Sequence, residues 1–309
     1  MNQLGVTLPG LKLKNPIMPA SGPFGLGERY RDDFDYSILG AIIIKSTTSQ
    51  ARVGNPKPCY HHLDTGLLNA VGLKNPGVDV VVNEKLPALK DFDTPVIASV
   101  AGTTTAEFVE VTKKLCQSPY VKAIELNVSC PNVAEGGLTF GSNPEAVRLM
   151  TEAVKKIATV PVYVKLTPNV TDIVAIAQAA EKGGADGISM INSLLSMAID
   201  LDTRKPYLSN KTGGLSGPAI KPLAIRMIYQ VSRAISIPII GMGGVSTADD
   251  VLEMIMAGAS AVAIGTAQYK NPLACKEIIE ALPIRMKELG IESIEGLITE
   301  VKEGRRNEY

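Results

Sequence analysis

Residues 237–266 read IPIIGMGGVSTADDVLEMIMAGASAVAIGT. Two short apolar runs, Ile237-Pro238-Ile239-Ile240-Gly241 and Ala261-Val262-Ala263-Ile264-Gly265, flank a segment of different character. Thr247-Ala248-Asp249-Asp250 offers a capping hydroxyl and first-turn acids, and Gly258 is placed to end the helix they start. A strand, a helix and a strand in so short a stretch make a β/α/β unit with parallel strands buried on both faces.

The same alternation extends toward the N-terminus. Further runs are Pro16–Ala20, Ala41–Lys45, Pro95–Val100, Ala123–Val128, Val162–Leu166 and Gly187–Ile191. Helix signals lie between them. Asn143 to Ile157 opens on Asn-Pro, a cap with proline at the first helical position. Thr171-Asp172 opens another helix, which closes at Gly183-Gly184. Eight such strands predict an α/β fold of the closed (β/α)8 type. No G-x-G-x-x-G follows the first strand, which counts against a dinucleotide-binding sheet. Val6–Leu13, within residues 1–15, reads as a hairpin capping the bottom of the barrel, and 302–309 as a frayed, charged end. With no linker or repeat, 1–309 is expected to be a single domain.

Composition agrees. Hydrophobic residues make up 45% and charged residues 20%, enough apolar material for a large core. Trp is absent, so Val, Ile, Leu and Ala must build that core. Thirty-one basic residues balance thirty-one acidic ones, and no net field draws the chain to nucleic acid or an anionic membrane. No apolar run reaches the roughly 20 residues that span a bilayer. The four cysteines are scattered, with no C-x-x-C pair, so no metal or iron–sulfur site is signalled and a reducing cytoplasm is expected.

A barrel of this kind carries its chemistry at the C-terminal ends of its strands. Unusual polar residues gather there: Ser21, Lys45-Ser46, Asn127, Cys130, Lys165 and Asn192-Ser193. Gly243-Gly244 and Gly265-Thr266 follow the last two strands, where a phosphate commonly meets backbone N–H groups; plain tight turns are the alternative. Lys165 ends an apolar run and must face something polar. Its amine suits either a Schiff base or a positive charge beside an electron-accepting ring. Cys130 sits at a strand mouth with Pro131 behind it, a placement for chemistry, whereas Cys116 reads as an inert helical thiol. Cys59 and Cys275 read as structural. His61 and His62, adjacent in a strand, face opposite ways and make a poor metal pair.

Asn127-Val128-Ser129-Cys130-Pro131-Asn132 resembles the Asn-(Val/Ile/Leu)-Ser-Cys-Pro-Asn signature of class 1 dihydroorotate dehydrogenases. Asn69-Ala70-Val71-Gly72-Leu73-Lys74-Asn75-Pro76-Gly77 is similar to that family's substrate loop. Gly213–Pro222 and Ile240–Gly244 are similar to its flavin-phosphate region, and the likeness runs from Leu4 to Val301. The forms of the substrate loop and of Leu215–Pro222 resemble class 1B. That resemblance implies one FMN on this chain and NAD⁺ as acceptor. It also implies a partner subunit carrying FAD and a 2Fe–2S cluster, joined to a homodimer of this chain as a heterotetramer.

The resemblance further implies roles. Cys130 would take a proton from carbon 5 of dihydroorotate. Lys45, Asn69, Ala70, Val71, Gly72, Leu73, Asn127, Asn192 and Ser193 would hold the pyrimidine and its carboxylate. Ser21, Lys45, Ser46, Ser99, Asn127, Lys165, Ile191, Gly217, Gly243, Gly244, Gly265 and Thr266 would hold FMN. Ser99 departs from the family, which has asparagine there, so a direct flavin contact is in question. Gly136-Gly137 and Gly141 give the loop after Cys130 the composition of a lid. Competing readings are a class 1A, fumarate-linked enzyme, an FMN barrel acting on dihydropyrimidines, and a Schiff-base lyase through Lys165.

Overall fold

The eight apolar runs are the parallel strands of one sheet, in a computed structural model that describes residues 3–129 and 140–306. In chain order the strands are β1 (Val6–Leu8), β2 (Leu11–Leu13), β3 (Ile17–Pro19), β4 (Ile42–Thr47), β5 (Tyr60–Leu63), β6 (Gly66–Asn69), β7 (Val96–Val100) and β8 (Val121–Asn127). They continue as β9 (Val162–Lys165), β10 (Gly187–Met190), β11 (Leu194–Ser196), β12 (Ile199–Asp200), β13 (Lys205–Pro206), β14 (Gly213–Ser216), β15 (Ile239–Met242) and β16 (Ala261–Ile264). The large sheet runs β3-β16-β15-β10-β9-β8-β7-β4. That is sequential order around a (β/α)8 barrel, with β3 and β4 meeting at the seam. There the Gly40 N–H donates to Ile17 O at 2.9 Å. A side chain on Gly40 would run into the Asn15 carbonyl, so glycine is what lets the seam close.

Helices return the chain between strands. Thr105–Leu115, Pro144–Lys155, Ile173–Lys182, Lys221–Ser232 and Ala248–Ala257 bury one apolar stripe each against the sheet. Three of their starts, at Asn143, Asp172 and Thr247, are the ones read from the sequence. Asn143 and Asp172 cap through side-chain oxygens, and Thr247 with Asp250 forms a capping box worth about 1 kcal/mol. The first unit differs. Between β3 and β4 there is only a 3-10 turn, Tyr36–Ile38, and an aromatic cluster fills the space a helix would take. Tyr36 lies 4.7 Å from Phe24 and 4.8 Å from Phe92, ring centre to ring centre. Burial pushes its hydroxyl up to about 12.

The N-terminal hairpin closes the far end. β1 and β2 pair Val6 with Leu13, and Gly10 at the turn packs against Pro161, just before β9. Tyr163 donates its hydroxyl to Pro9 O at 3.0 Å. The charged end needs correction. The helix Ile294–Arg306 carries through Lys302, because buried Ile294 and Leu297, with Ile298 and Val301 beside them, tie it to the core. A second sheet, β11-β14-β6-β5, crosses the strand-end mouth and was not anticipated. Among the described residues no helix is long and apolar enough to cross a membrane.

Candidate active site

Three groups of residues converge at the mouth. The first is a glycine cradle. Gly243 and Gly244 follow β15 at φ 126° and 80°, and Gly217 after β14 is at φ 103°. These are left-handed or related conformations that favour glycine. A Cβ on Gly244 would stand 2.9 Å from Gly217 O, so the two turns touch through bare backbone. At Gly265 a Cβ would meet nothing within 4 Å, since this turn faces the open cleft. The cleft, about 390 Å³, is lined by Gly217, Gly244, Val245, Ser246 and Thr266 among others. Asp250 stiffens it by accepting from the N–H groups of Ser246 (2.8 Å) and Thr247 (3.0 Å) and from Lys221 Nζ (2.6 Å). Burial opposes ionisation of that carboxyl, but Lys221 and these donors outweigh it and hold Asp250 below the usual carboxylate range.

The second group lies at the centre. Lys165, only 5% exposed, donates to Ser21 Oγ at 3.4 Å across the barrel. Asn192 Nδ2 donates to Asn127 Oδ1 (3.3 Å), and Asn127 Nδ2 to Ser46 Oγ (3.2 Å). Ser46 Oγ meets Ser99 Oγ at 2.9 Å. Ser99 is fully buried and reaches the site through Ser46. Ile191, also buried, is fixed by its N–H on Met242 O (2.9 Å). Lys45 is half-buried at the end of β4, its N–H on Gly25 O at 2.8 Å.

The third group belongs to the mouth sheet. Asn69 at the end of β6 pairs with Gly214 and donates to its carbonyl at 3.2 Å. Gly214 packs directly on the Ser193 hydroxyl, which leaves no room for a Cβ. Ala70 N–H donates to Cys59 O, and Val71 O accepts from Asn55 N–H. Gly72 and Leu73 turn the loop at φ 74° and 57°. Asn75 organises this turn. Its Nδ2 donates to Leu73 O and Thr48 Oγ1, both at 2.8 Å, while its Oδ1 accepts from Gly77 N (2.9 Å) and Thr48 N (3.2 Å).

Cys130 and the Gly136-Gly137 pair lie outside the described residues. Ser129 is described: its hydroxyl donates to the Lys165 carbonyl at 3.1 Å, tying the β8 end to that of β9. Gly141 has a packing role, with its Cβ direction 2.6 Å from Val128 O. Cys275 is fully buried, and burial pushes its thiol up; Cys116 caps the helix Thr105–Leu115. His61 and His62 alternate along β5, and His61 stacks on Tyr207 at 3.7 Å. Among the described residues no group of His, Cys, Asp and Glu could hold a metal. Three contributors escaped the sequence reading: Asn75, Ser216, which accepts from Thr266 Oγ1 at 2.8 Å, and the buried Glu125. Asn75 stood inside a quoted motif. So did Ser216, within Gly213–Pro222, whereas Glu125 had no local signal.

The model of the family described as dihydroorotate dehydrogenase matches residues 3–286. The chain belongs to the dihydroorotate dehydrogenase family. Among curated relatives, a protein of Enterococcus faecalis (strain ATCC 47077 / OG1RF) is 62% identical over 307 residues, covering 99% of this chain and 98% of the relative. One of Anoxybacillus flavithermus is 59% identical over 294 residues, 95% and 94% of the two chains. One of Listeria welshimeri is 57% identical over 308 residues and covers both chains fully. Each bears the name dihydroorotate dehydrogenase B (NAD(+)), catalytic subunit.

Proposed function

We propose that this chain oxidises dihydroorotate to orotate in pyrimidine biosynthesis, with FMN at the barrel mouth. The observation that carries this is the convergence, in a chain of this family, of the buried Lys165 ammonium with a glycine cradle at the ends of β15 and β16. The residues fit FMN. Gly217, Gly243, Gly244 and Gly265 leave backbone bare where a phosphate would lie, and Thr266 adds a hydroxyl. Ser21, Lys45, Ser46, Asn127, Lys165 and Ile191 would hold the ring, with Ser99 acting through Ser46. Bound FMN supplies the acceptor for the hydride that leaves carbon 6 of the substrate.

The chain's own residues do the rest. Cys130, as thiolate, takes the proton from carbon 5, so a carbon–carbon double bond forms as two electrons leave. A free thiol titrates near roughly 8.5, and a lysine beside it would raise its thiolate fraction at neutral pH. Asn69, Asn127, Asn192 and Ser193 present amide and hydroxyl groups that match a pyrimidine's carbonyl and N–H edges. Lys45 faces its carboxylate, and Ala70, Val71, Gly72 and Leu73 close over it. With FMN bound, the Lys165 ammonium would supply positive charge beside its ring.

The class 1B assignment rests on the relatives' shared name. It adds an electron-transfer subunit carrying FAD and a 2Fe–2S cluster, a heterotetramer, NAD⁺ as final acceptor and a cytoplasmic site of action. The purified protein is expected to be yellow and to bleach when mixed anaerobically with dihydroorotate. A flavin that stays oxidised overturns the substrate assignment. Efficient NAD⁺ reduction by the chain alone overturns the two-subunit reading.

A further inference from the structure

Beneath the site, the barrel interior holds a carboxylate that the reaction above does not use. Glu125 is 0% exposed, and neither carboxylate oxygen has a hydrogen-bond partner among the described residues. Its direction follows from the strand alternation. Asn127 points into the barrel, because it bonds to Ser46 and Asn192 on other strands. Glu125, two residues earlier on β8, shares that face. In register it stands between Ser99 on β7 and Tyr163 on β9. Both are inward: Ser99 meets Ser46, and Tyr163 reaches the hairpin that closes the barrel floor.

One level up, Asn127 pairs with Lys165, and Lys165 with Ser189 of β10. Ser189 is fully buried, and its hydroxyl also has no partner among the described residues. Lys165 has three donors, and its hydrogen bond to Ser21 is long. A buried ammonium and a buried carboxylate therefore occupy neighbouring strands, one layer apart, inside the barrel. Left without a charge of opposite sign nearby, each would be costly. Facing one another across neighbouring strands, the two charges offset that cost.

We propose that Glu125 is the buried counter-charge of Lys165, a positioning residue that offsets the ammonium's charge and holds it beneath the ring above. This rests on the assignment of the mouth to FMN. The carboxylate then sets the electrostatic balance under the cofactor. Glu125→Gln removes a negative charge below an acceptor that gains negative charge on reduction.

The test is the midpoint potential of the bound flavin in the purified holoprotein. Glu125→Gln is expected to favour the reduced form at least about tenfold, roughly 30 mV upward for a two-electron couple. In a Lys165→Met background the same substitution is expected to leave the potential unchanged, because a carboxyl with no cation to face is already protonated. An unchanged potential in the single variant, or an equal shift in both backgrounds, overturns the proposal. Infrared spectroscopy covers the case in which Glu125→Gln does not fold. A protonated-carboxyl band should appear in Lys165→Met and be absent from the parent protein; its presence in the parent overturns the proposal. The infrared experiment also works on apoprotein. A colourless protein that passes it loses the flavin assignment and keeps the ion pair.

Discussion

Replacing Asn75 by alanine removes four hydrogen bonds at once: two donated, to Leu73 O and Thr48 Oγ1, and two accepted, from Gly77 N and Thr48 N. Each is worth about 1 kcal/mol net, and the exposed donors rehydrate only in part, so the loss comes to about 3 kcal/mol. Most of it falls on the Ala70–Leu73 turn. Leu73 sits at φ 57°, a conformation that costs about 1–2 kcal/mol and is held by the bond to its carbonyl. Once that bond is gone, dihydroorotate must reorder the loop on binding. At 1.4 kcal/mol per tenfold, KM should rise roughly 10- to 100-fold. The FMN cradle is built from other turns, so flavin content should stay at one per chain and kcat should hold. Asn75→Asp keeps both accepted bonds but turns an anion toward Leu73 O, and should fall between. Steady-state kinetics with flavin quantification and a thermal melt decide the matter. An unchanged KM in a folded, yellow Asn75→Ala protein would refute the assignment of loop order to Asn75.

Cys130→Ala should keep its flavin and lose most reduction by dihydroorotate in anaerobic stopped flow, while Cys130→Ser retains a little at high pH. Gly244→Ala puts a methyl 2.9 Å from Gly217 O at a φ of 80°, so apoprotein titration should show at least about a tenfold loss of FMN affinity, from a strain of about 1–2 kcal/mol. Asp250 has its carboxyl held low in the fold, so its contribution is complete above the ordinary carboxylate range and is lost as pH falls through its folded value. Denaturant melts of Asp250→Asn should therefore differ from the parent by about 2 kcal/mol at neutral pH and converge with it in acid.

The barrel was legible because its strands are buried on both faces. Such strands read as continuous Val, Ile and Ala runs, and the caps at Asn143, Asp172 and Thr247 are short-range signals. The mouth sheet was not. β14 is Gly-Gly-Leu-Ser, which by itself reads as a loop, and it becomes a strand through β11 on one side and Leu67–Asn69, on a hairpin far away in the chain, on the other. Glu125 was hidden for a similar reason. A lone acid in Ala-Ile-Glu-Leu-Asn shows its meaning only when the neighbouring strand puts Lys165 one layer above it. Asn127, Lys165 and the glycine pairs were legible because strand-end position in a barrel carries information that composition does not.

The pairing of Leu67 with Ser216 also has a consequence for synthesis at the ribosome. The β5–β6 hairpin emerges early, while β14 lies 149 residues beyond Leu67 in the chain. Until that second segment arrives, the nascent Gly66–Asn69 edge has no strand to pair with on that side. The proposed pyrimidine pocket therefore cannot form before Gly213–Ser216 has emerged. A chain released early can assemble its first strands, but it cannot complete the pocket that distinguishes a working copy from a failed one.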